Sequence, residues 1–378
     1  MTAETAASGP AASGASAAVP ARVQGSVRIV GVGLLGASIG LAMRAKGVDV
    51  ILSDASPSQQ RLAVDYGAGR PPADGDDPSI IVICVPPDVT AAVIEAELER
   101  YPDAVVTDVA SVKLEPYRAL LARGVDITRY IGSHPLAGRE RGGAISARAD
   151  LFLGRPWVIC RDAETPPWAL ALVEGLALDL GTIPLEMTPE EHDRSVALVS
   201  HTPQMVASLL AKQLSAASDN AIDLAGQGLR DTVRIASSAP ELWVQILSAN
   251  HAEVVPVLER LQADLAEVIE ALRDPEQPGA RRRIADAIAE GNVGVARLPG
   301  KHGQNQRFAS IVVLLDDRPG QLGLLLTELG ELGVNMEDLR LEHSPGANIG
   351  LAEISVVPEV KQRTVTDLET RGWRIAEV

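Results

Sequence analysis

The sequence predicts an α/β chain of three parts, and the prediction rests on three observations. Short apolar runs rich in valine and isoleucine alternate with helical patterns up to about residue 187, which is typical of a parallel sheet covered by helices. Helical patterns without strand-like alternation continue to about residue 272. The chain then ends in elements of the order βαββαβ, which predicts a small ferredoxin-like module.

A glycine-rich turn follows the first predicted strand. Residues 31–36 read Gly-Val-Gly-Leu-Leu-Gly between an apolar strand that ends at Val30 and a helical pattern. This context makes the G-x-G-x-x-G pattern a specific sign of a Rossmann dinucleotide-binding domain. Gly31 permits the tight turn, Gly33 lets the backbone approach a pyrophosphate, and Gly36 allows close packing of the helix. We expect a dinucleotide at the amino end of this helix, where backbone N–H groups are unpaired.

The end of the second strand predicts which dinucleotide is bound. Asp54 lies about twenty residues after the glycine turn, where a carboxylate accepts hydrogen bonds from the adenosine ribose and repels a 2′-phosphate. NAD is therefore favoured over NADP, although the nearby Arg61 offers a cation that suits the phosphate of NADP. Val85 and Pro86 end a later strand and Ser111 follows the next one, so topology places all three along the cofactor crevice. The residues assigned to the cofactor are Gly31, Gly33, Leu35, Gly36, Asp54, Val85 and Pro86.

One histidine lies where the predicted sheet meets the cofactor. His134 falls in a predicted turn, Gly132–Gly138, after a short strand at Tyr130–Ile131. A histidine at the crevice of a nicotinamide fold accepts a hydroxyl proton while hydride leaves the same carbon, because its pKa lies near neutrality. The alternative is a loop histidine that only caps backbone groups. We expect His134 to be the acid/base residue of a dehydrogenase.

The helical segment offers further candidates for a substrate site. His201 lies in mid-helix two residues before Pro203, which removes a backbone hydrogen bond and predicts a kink, although a buried core histidine explains this position almost as well. His192 is nine positions earlier, on the opposite helix face, and is predicted at the surface. Trp243 is either a wall of the substrate pocket or a core residue.

Two arginines one helical turn apart predict a carboxylate site. Arg230 and Arg234 stand at positions i and i+4, and a planar guanidinium suits a carboxylate substrate. An ion pair between one of these arginines and Asp231 explains the same spacing equally well.

Composition and charge exclude several classes of partner. The chain of 378 residues has a net charge of −16, so we expect no nucleic-acid partner, which requires a concentrated basic face. No apolar run reaches the roughly 18–20 residues of a membrane helix, so we expect no membrane span. The two cysteines offer neither a metal spacing nor a disulfide framework, so we predict no metal and a reducing, cytoplasmic location.

These patterns define the predicted domain boundaries. Residues 1–25, dominated by alanine, serine, glycine and proline, are assigned to a disordered tail. The segments that follow are a Rossmann domain at 26–187, a helical domain at 188–273, a linker with one short helix at 274–306, and the ferredoxin-like module at 307–378. A helix predicted to begin at Ser238 carries an apolar stripe from Val254 to Leu272, and a stripe of this kind often packs against a second subunit. We therefore expect a homodimer.

Several segments, in this order, resemble the prephenate/arogenate dehydrogenases of tyrosine biosynthesis. They are the glycine turn, Thr107–Lys113, Gly132–Gly138, Val199–Pro203 and Asp231–Ala236. The resemblance covers about residues 26–272 and implies a helical dimerisation domain like that of 6-phosphogluconate dehydrogenase. The last module, with Asp317–Leu322 and Asn335, resembles an ACT domain, which in such enzymes binds an aromatic amino acid.

The resemblance implies NAD-dependent oxidative decarboxylation of a cyclohexadienol, with prephenate as the main expected substrate and arogenate as the alternative. His134 would take the proton of the ring hydroxyl with help from Ser111, and Arg234 would hold a substrate carboxylate. The residues that would complete the substrate site are His201, Trp243 and Arg230. The residues that would bind an aromatic amino acid as effector are Asp317, Pro319, Gly320 and Asn335.

Two other classes of protein share parts of this pattern. A β-hydroxyacid dehydrogenase has a similar plan and commonly uses a helical lysine as acid/base, and Lys212 is the one lysine within residues 188–272. An amino-acid-sensing regulator would bind NAD without turnover and signal through residues 308–378. The presence of both His134 and Arg234 argues against that reading.

Overall fold

The computed structural model describes residues 20–138, 143–161, 164–298, 308–343 and 349–376. Residues 1–19 of the predicted tail and residues 299–306 of the predicted linker lie outside these ranges. By its internal contacts the chain divides into two compact units. The first is Met1–Ser208 with Ile235–Leu258, and the second is Leu209–Arg234 with Glu259–Val378. The domain boundaries proposed above stay predictions.

The first unit contains a sheet of seven strands with helical crossovers. The strands are β1 (Ser26–Val30), β2 (Val50–Ser53), β3 (Pro78–Ile83), β4 (Val105–Asp108), β5 (Tyr130–Pro135), β6 (Pro156–Cys160) and β7 (Ile183–Met187). The helices between strands are α1 (Leu34–Ala45), α2 (Pro57–Asp65), α3 (Pro87–Arg100), α4 (Leu114–Ala122) and α5 (Pro167–Asp179). The strand order is β2-β1-β3-β4-β5-β6-β7, and all neighbours are parallel except β5 and β6. The predicted Rossmann-like sheet is confirmed, with one antiparallel pair that the sequence did not reveal.

The sheet is buried on both faces, as its continuous apolar strands predict. In β3, Ile80 and Val82 belong to one hydrophobic core, and Ile81 and Ile83 belong to a second core. Because successive side chains of a strand point to opposite faces, each face of the sheet carries its own core. Helices on both sides complete these two cores and fix the strand ends at which a cofactor binds.

Part of the predicted tail is held by the first unit. Asp179 at the end of α5 is buried, and its Oδ2 accepts backbone N–H bonds from Arg22 at 2.7 Å and Val23 at 3.0 Å. The Val23 side chain is buried in the core beside the sheet. Residues 20–25 are therefore ordered by a buried carboxylate, a long-range contact that local composition does not indicate.

A run of helices follows β7. They are α6 (Pro189–Val196), α7 (Thr202–Leu214), α8 (Asp219–Asp223), α9 (Gln227–Val233), α10 (Pro240–Ala249), α11 (His251–Arg273) and α12 (Ala280–Val295). A capping box joins Thr188 and Glu191 at the start of α6, as the sequence predicts. The single helix predicted after Ser238 is instead two helices that meet at Asn250. The short helix predicted in the linker is α12, which has 16 residues; alanine, arginine and glutamate favour helix over its first eleven residues.

The described part of residues 308–376 forms a separate small sheet within the second unit. Its elements are β8 (Ala309–Asp316), α13 (Gln321–Glu331), β9 (Asp338–His343), β10 (Ile349–Val356), α14 (Pro358–Thr370) and β11 (Arg374–Ala376). The strand order is β11-β8-β10-β9 and every pair is antiparallel. Alternate β8 residues pack on Leu325, Leu329 and Leu368 from the two helices. The βαββαβ order is confirmed, although β9 begins at Asp338 and not at Val334.

Across the described ranges, every helix is too short or too polar to cross a membrane.

Candidate active site

The candidate site lies at the carboxyl ends of the parallel strands. The glycine turn follows β1, Val85 and Pro86 follow β3, and Ser111 follows β4. His134 belongs to β5 itself and pairs with Val158 of β6, so the prediction that it lies in a turn is wrong. The antiparallel partner strand extends β5 through residues 133–135, and this partner cannot be deduced from the local sequence.

The glycine turn has the backbone geometry of a dinucleotide site. Gly31 has φ +93°, and a Cβ there would lie 2.4 Å from the Cys84 carbonyl oxygen. A Cβ on Gly36 would lie 2.0 Å from the Gly31 carbonyl oxygen, so α1 packs directly on the turn. A Cβ on Gly33 would meet no heavy atom within 4 Å, and Gly33 begins α1 without a side-chain cap. The open space and the uncapped helix end fit the pyrophosphate of NAD.

Asp54 holds this turn from the second strand. Its Oδ2 accepts the backbone N–H of Val32 at 2.8 Å, and its Oδ1 accepts that of Ser56 at 2.8 Å. The half-buried carboxylate therefore lies against the glycine turn, at the end of β2. Of the other residues assigned to the cofactor, Leu35 packs on the core and Val85 lies beside Gly31.

Gly33 and Gly36 are expected to respond differently to the same substitution. Gly33→Ala has room within the protein, so it should leave the thermal midpoint unchanged and raise the Kd for NAD about tenfold or more, roughly 1.4 kcal/mol. Gly36→Ala forces the helix off the turn and should cost about 1–3 kcal/mol of folding stability. Calorimetric melting and NAD titration of both variants measure the two effects, and equal destabilisation by both would contradict this description of the turn.

His134 is hydrogen-bonded to a second histidine and, through it, to a carboxylate. His134 Nδ1 lies 2.9 Å from His192 Nε2, and His192 Nδ1 lies 2.7 Å from Asp193 Oδ1. The three residues are 9%, 0% and 1% exposed. Burial, together with the neighbouring His192 and Lys113, lowers the pKa of His134 well below its usual value. His134 is therefore a neutral imidazole at neutral pH, the form that accepts a proton.

The prediction that His192 lies at the surface is wrong. The nine positions between His192 and His201 correspond to opposite faces of a regular α-helix, but Ala197–His201 forms a π-helical turn just before Pro203. One extra residue in the turn reduces the angle between the two side chains to about 80°. Both histidines consequently face the interior, where both are buried.

His201 is oriented by Asn250 at the junction of α10 and α11. The Asn250 side-chain amide donates to the Asp193 carbonyl oxygen at 2.8 Å and lies 3.1 Å from His201 Nδ1. Because this amide nitrogen is a donor, His201 Nδ1 accepts and His201 Nε2 carries the ring proton. Trp243 packs edge-on against the His201 ring, with centroids 6.1 Å apart. His201 thus offers a neutral N–H donor beside an aromatic wall.

Acid is expected to destabilise the fold through His201. Burial lowers the pKa of His201 to about 4, whereas an unfolded histidine titrates near 6.5. Between these two pH values the unfolded chain binds a proton at His201 and the folded protein does not. The contribution of His201 to the free energy of unfolding is therefore intact above about pH 6.5 and is lost as the pH falls towards about 4. At pH 5 this effect is about 2 kcal/mol of the free energy of unfolding.

Urea unfolding of the wild type and His201→Asn between pH 7 and pH 5 tests this effect. The variant should lose stability less steeply than the wild type as the pH falls. Parallel curves for the two proteins would contradict the prediction.

A buried ion pair supports the ends of β4 and β5. The Lys113 ammonium group contacts Asp108 Oδ2 and donates to the Ser133 carbonyl oxygen at 2.7 Å. Asp108 also accepts the Tyr130 hydroxyl at 2.9 Å. Lys113 and Asp108 are essentially inaccessible to solvent, so neither charge is screened by water. The pair fixes the strand that carries His134, and the positive charge of Lys113 disfavours the protonation of His134.

Three other residues predicted for this site are Ser111, Arg230 and Arg234. Ser111 lies between β4 and α4, and the hydrogen bond recorded for the His134 ring within the described ranges goes to His192. Arg230 in α9 and Arg234 at the end of that helix belong to the second unit. Their roles toward a substrate stay predictions.

Sequence reasoning missed four residues of the site: His192, Asp193, Lys113 and Asn250. A signal existed for the first two, because they directly follow the capping box at the start of the helical segment. Lys113 ends the Thr107–Lys113 motif, but the motif alone does not indicate a role for it. Nothing local marks Asn250, since its contacts come from residues more than one element away.

A Rossmann-like sheet with an open glycine turn and a neutral buried histidine defines an NAD-dependent oxidoreductase. Two family models match the chain: the nucleotide-binding domain of prephenate dehydrogenase over residues 39–183 and its dimerization domain over residues 188–285. A probable prephenate dehydrogenase of Streptomyces niveus is 35% identical over 353 residues, which covers 91% of this chain and 98% of the relative. The chain belongs to the prephenate dehydrogenase family.

Solved structures are similar to this chain at the level of the fold and the two main domains. Prephenate dehydrogenase from A. aeolicus, in complex with hydroxyphenyl propionate and NAD+, has a TM-score of 0.62 and 25% identity, covering 72% of this chain and 98% of that one. Synechocystis arogenate dehydrogenase has a TM-score of 0.57 and 28% identity, covering 71% of this chain and 99% of that one. The prediction of NAD as cofactor is confirmed.

Proposed function

We propose that this protein catalyses the NAD-dependent oxidative decarboxylation of prephenate to 4-hydroxyphenylpyruvate. The observation that carries the proposal is the neutral His134 at the carboxyl edge of the Rossmann-like sheet, hydrogen-bonded through His192 to Asp193. A neutral imidazole at this place suits the removal of a hydroxyl proton from the carbon that loses hydride. The prephenate dehydrogenases among the relatives support this choice of substrate.

The protein contributes mainly the orientation of the substrate and a base that takes the hydroxyl proton. The glycine turn would hold NAD, which would supply the hydride acceptor for the ring carbinol carbon as carbon dioxide leaves and the ring becomes aromatic. His134 takes the hydroxyl proton, and Ser111 is proposed to assist that hydrogen bond. His201 presents a neutral N–H donor to the far end of the substrate, with Trp243 as a wall.

The arginines are proposed to recognise the carboxylates of the substrate. Arg234, with Arg230 one turn earlier, supplies planar donors that suit carboxylates bidentately. This assignment rests on the Asp231–Ala236 sequence motif. Because His201 is neutral, it forms a hydrogen bond with a carboxylate and does not replace the positive charge of an arginine.

Arogenate is the second candidate substrate, and the similarity to Synechocystis arogenate dehydrogenase favours testing it. The two compounds differ by a keto group and an amino group on the side chain. The deciding experiment is NADH formation by the purified full chain with each compound at saturating NAD. We expect faster turnover of prephenate, with 4-hydroxyphenylpyruvate identified by mass spectrometry. Turnover of arogenate alone would replace this substrate assignment, and turnover of neither would remove the proposed function.

We further propose that the protein forms a homodimer. The matching dimerization-domain model supports this proposal, and so do the exposed apolar side chains of α11, among them Leu261, Leu265 and Leu272. Sedimentation equilibrium should give twice the mass of the chain at micromolar concentration. A monomer under these conditions would overturn the proposal.

We also propose that the C-terminal module is an ACT domain that binds an aromatic amino acid. Its βαββαβ order and antiparallel sheet are compatible with this assignment. The exposed turn of Asp317, Pro319 and Gly320 leads into α13, and the Asn335 amide donates to Glu337 at 3.1 Å. Calorimetric titration of the full chain with tyrosine and phenylalanine tests the proposal, and absence of binding for both would refute it.

A further inference from the structure

The hydrogen-bond chain behind His134 has a defined direction. Asp193 Oδ1 and Oδ2 accept the backbone N–H groups of Lys113 and Leu114, each at 2.9 Å, at the start of α4. Asp193 Oδ1 also contacts His192 Nδ1 at 2.7 Å. An ionised carboxylate has no hydrogen to donate and acts as an acceptor only. His192 Nδ1 must therefore carry a proton.

The direction then passes from His192 to His134. A neutral imidazole has one N–H and one bare nitrogen, so a proton on His192 Nδ1 leaves His192 Nε2 as an acceptor. The group facing it at 2.9 Å is His134 Nδ1, which must donate. The proton of neutral His134 is thus on Nδ1, and its Nε2 is bare.

The titration behaviour of the buried groups agrees with this assignment. Burial alone raises the pKa of Asp193, but its hydrogen bonds with His192, Leu114 and Lys113 hold that pKa below the usual value. Burial lowers the pKa of His192. At neutral pH the carboxylate is therefore ionised and the imidazole is neutral.

We propose that Asp193 and His192 are positioning residues that hold His134 in the Nδ1–H tautomer, so that His134 Nε2 is the atom that receives the substrate proton. The identity of that proton donor rests on the proposed function, whereas the tautomer rests on the hydrogen bonds alone. The logic is that of a catalytic triad in which a second histidine is inserted between the base and the carboxylate.

The hydrogen bonds from His134 through His192 to Asp193 also accommodate the positive charge that the reaction creates. The substrate O–H bond breaks and a His134 Nε2–H bond forms, which leaves an imidazolium ion. This ion is transient, because the product is a phenol and its oxygen takes the proton back once carbon dioxide has left and the ring is aromatic. Transfer of the Nδ1 proton to His192 Nε2 then moves the positive charge onto His192, directly beside the Asp193 carboxylate. The other charged or titratable groups that act on His134 are Lys113 and His201, and both disfavour a positive charge on its ring.

Nitrogen-15 NMR of histidine-labelled wild-type protein tests the tautomer without any need for turnover. The chain has six histidines, so single His→Gln variants suffice to assign the signals. We expect both His134 and His192 to be protonated at Nδ1 and bare at Nε2 at pH 7.5. A proton on His134 Nε2 would overturn the proposal, whatever the substrate proves to be.

Asp193→Asn tests the positioning role by kinetics, with Asp179→Asn as the matched control. Both aspartates are buried and accept two backbone N–H bonds, but in the described part of the chain the partners of Asp179 are Arg22, Val23 and Lys46, not a histidine. Asp193→Asn should lower kcat about 100-fold, part of the 10²–10⁴-fold that a positioned base supplies. It should also move the acid limb of the kcat/KM profile to lower pH, since a negative charge that favours protonation is lost.

The control separates this role from a structural one. Asp179→Asn should reduce the thermal midpoint and leave both kcat and the acid limb in place. If Asp193→Asn behaves in the same way, or if it unfolds while the wild-type NMR places the proton on Nε2, the positioning role is refuted. Failure of the wild type to oxidise prephenate would remove the proposed function but leave the tautomer measurement decisive.

Discussion

His134→Asn is expected to lower kcat with prephenate by roughly 10²–10⁴-fold, which is the usual contribution of a positioned general base. Asparagine can place its amide nitrogen where His134 Nδ1 lies, so the hydrogen bond to His192 Nε2 is retained. It has no counterpart of Nε2 and cannot take a proton. The folding stability and the Kd for NAD should therefore be nearly unchanged. Initial rates of NADH formation at saturating substrates measure the loss.

His251→Asn is the matched control for this variant. His251 is exposed at the start of α11, and its Nδ1 donates to the Ser248 carbonyl oxygen at 2.9 Å, a bond that asparagine can reproduce. We expect wild-type rates from this control. A His134→Asn enzyme as fast as the His251→Asn enzyme would show that His134 is not the base.

Lys113→Met is expected to have the largest effect on stability, a loss of about 3–5 kcal/mol in the free energy of unfolding. The substitution keeps the length of the side chain and removes its charge, so the Asp108 carboxylate is left buried without its cation. The Tyr130 hydroxyl and the Ala110 backbone N–H still donate to it, but neither carries a charge. Urea unfolding followed by circular dichroism measures the loss.

Two further proteins make this test specific. Lys46→Met removes a partly exposed lysine 3.7 Å from Asp179 and should cost less than about 1 kcal/mol. In the double variant Lys113→Met with Asp108→Asn, part of the stability should return, because no unpaired charge remains buried. Equal losses for Lys113→Met and Lys46→Met would contradict the description of a buried ion pair.

The fold was largely predictable because its signals are local. Apolar β-branched runs, the glycine turn and the capping box at Thr188 each act within a few residues, and the elements they predict are present. Errors arose where a distant partner decides the structure. Strand β6, in which Val158 pairs with His134, makes a strand of the residues predicted to form a turn. Asp179 likewise orders residues 20–25 from a distant position in the sequence.

The site was predictable in its principal residue but not in the residues that orient it. The place of His134 after the strands and the resemblance both point to this residue. His192 was assigned to the surface because helical periodicity assumes a regular helix, and the π-helical turn changes the phase between it and His201. Asn250 and Asp193 act through buried hydrogen bonds to other elements, which no periodicity records.

The most direct test of the central claim is the simultaneous measurement of NADH and carbon dioxide formed from prephenate. We expect equal amounts of both from the wild-type protein, and a roughly 10²–10⁴-fold slower formation of both by His134→Asn. NADH without carbon dioxide would indicate a simple hydroxyl dehydrogenase. Equal formation of both products by the two proteins would contradict the assignment of His134 as the base.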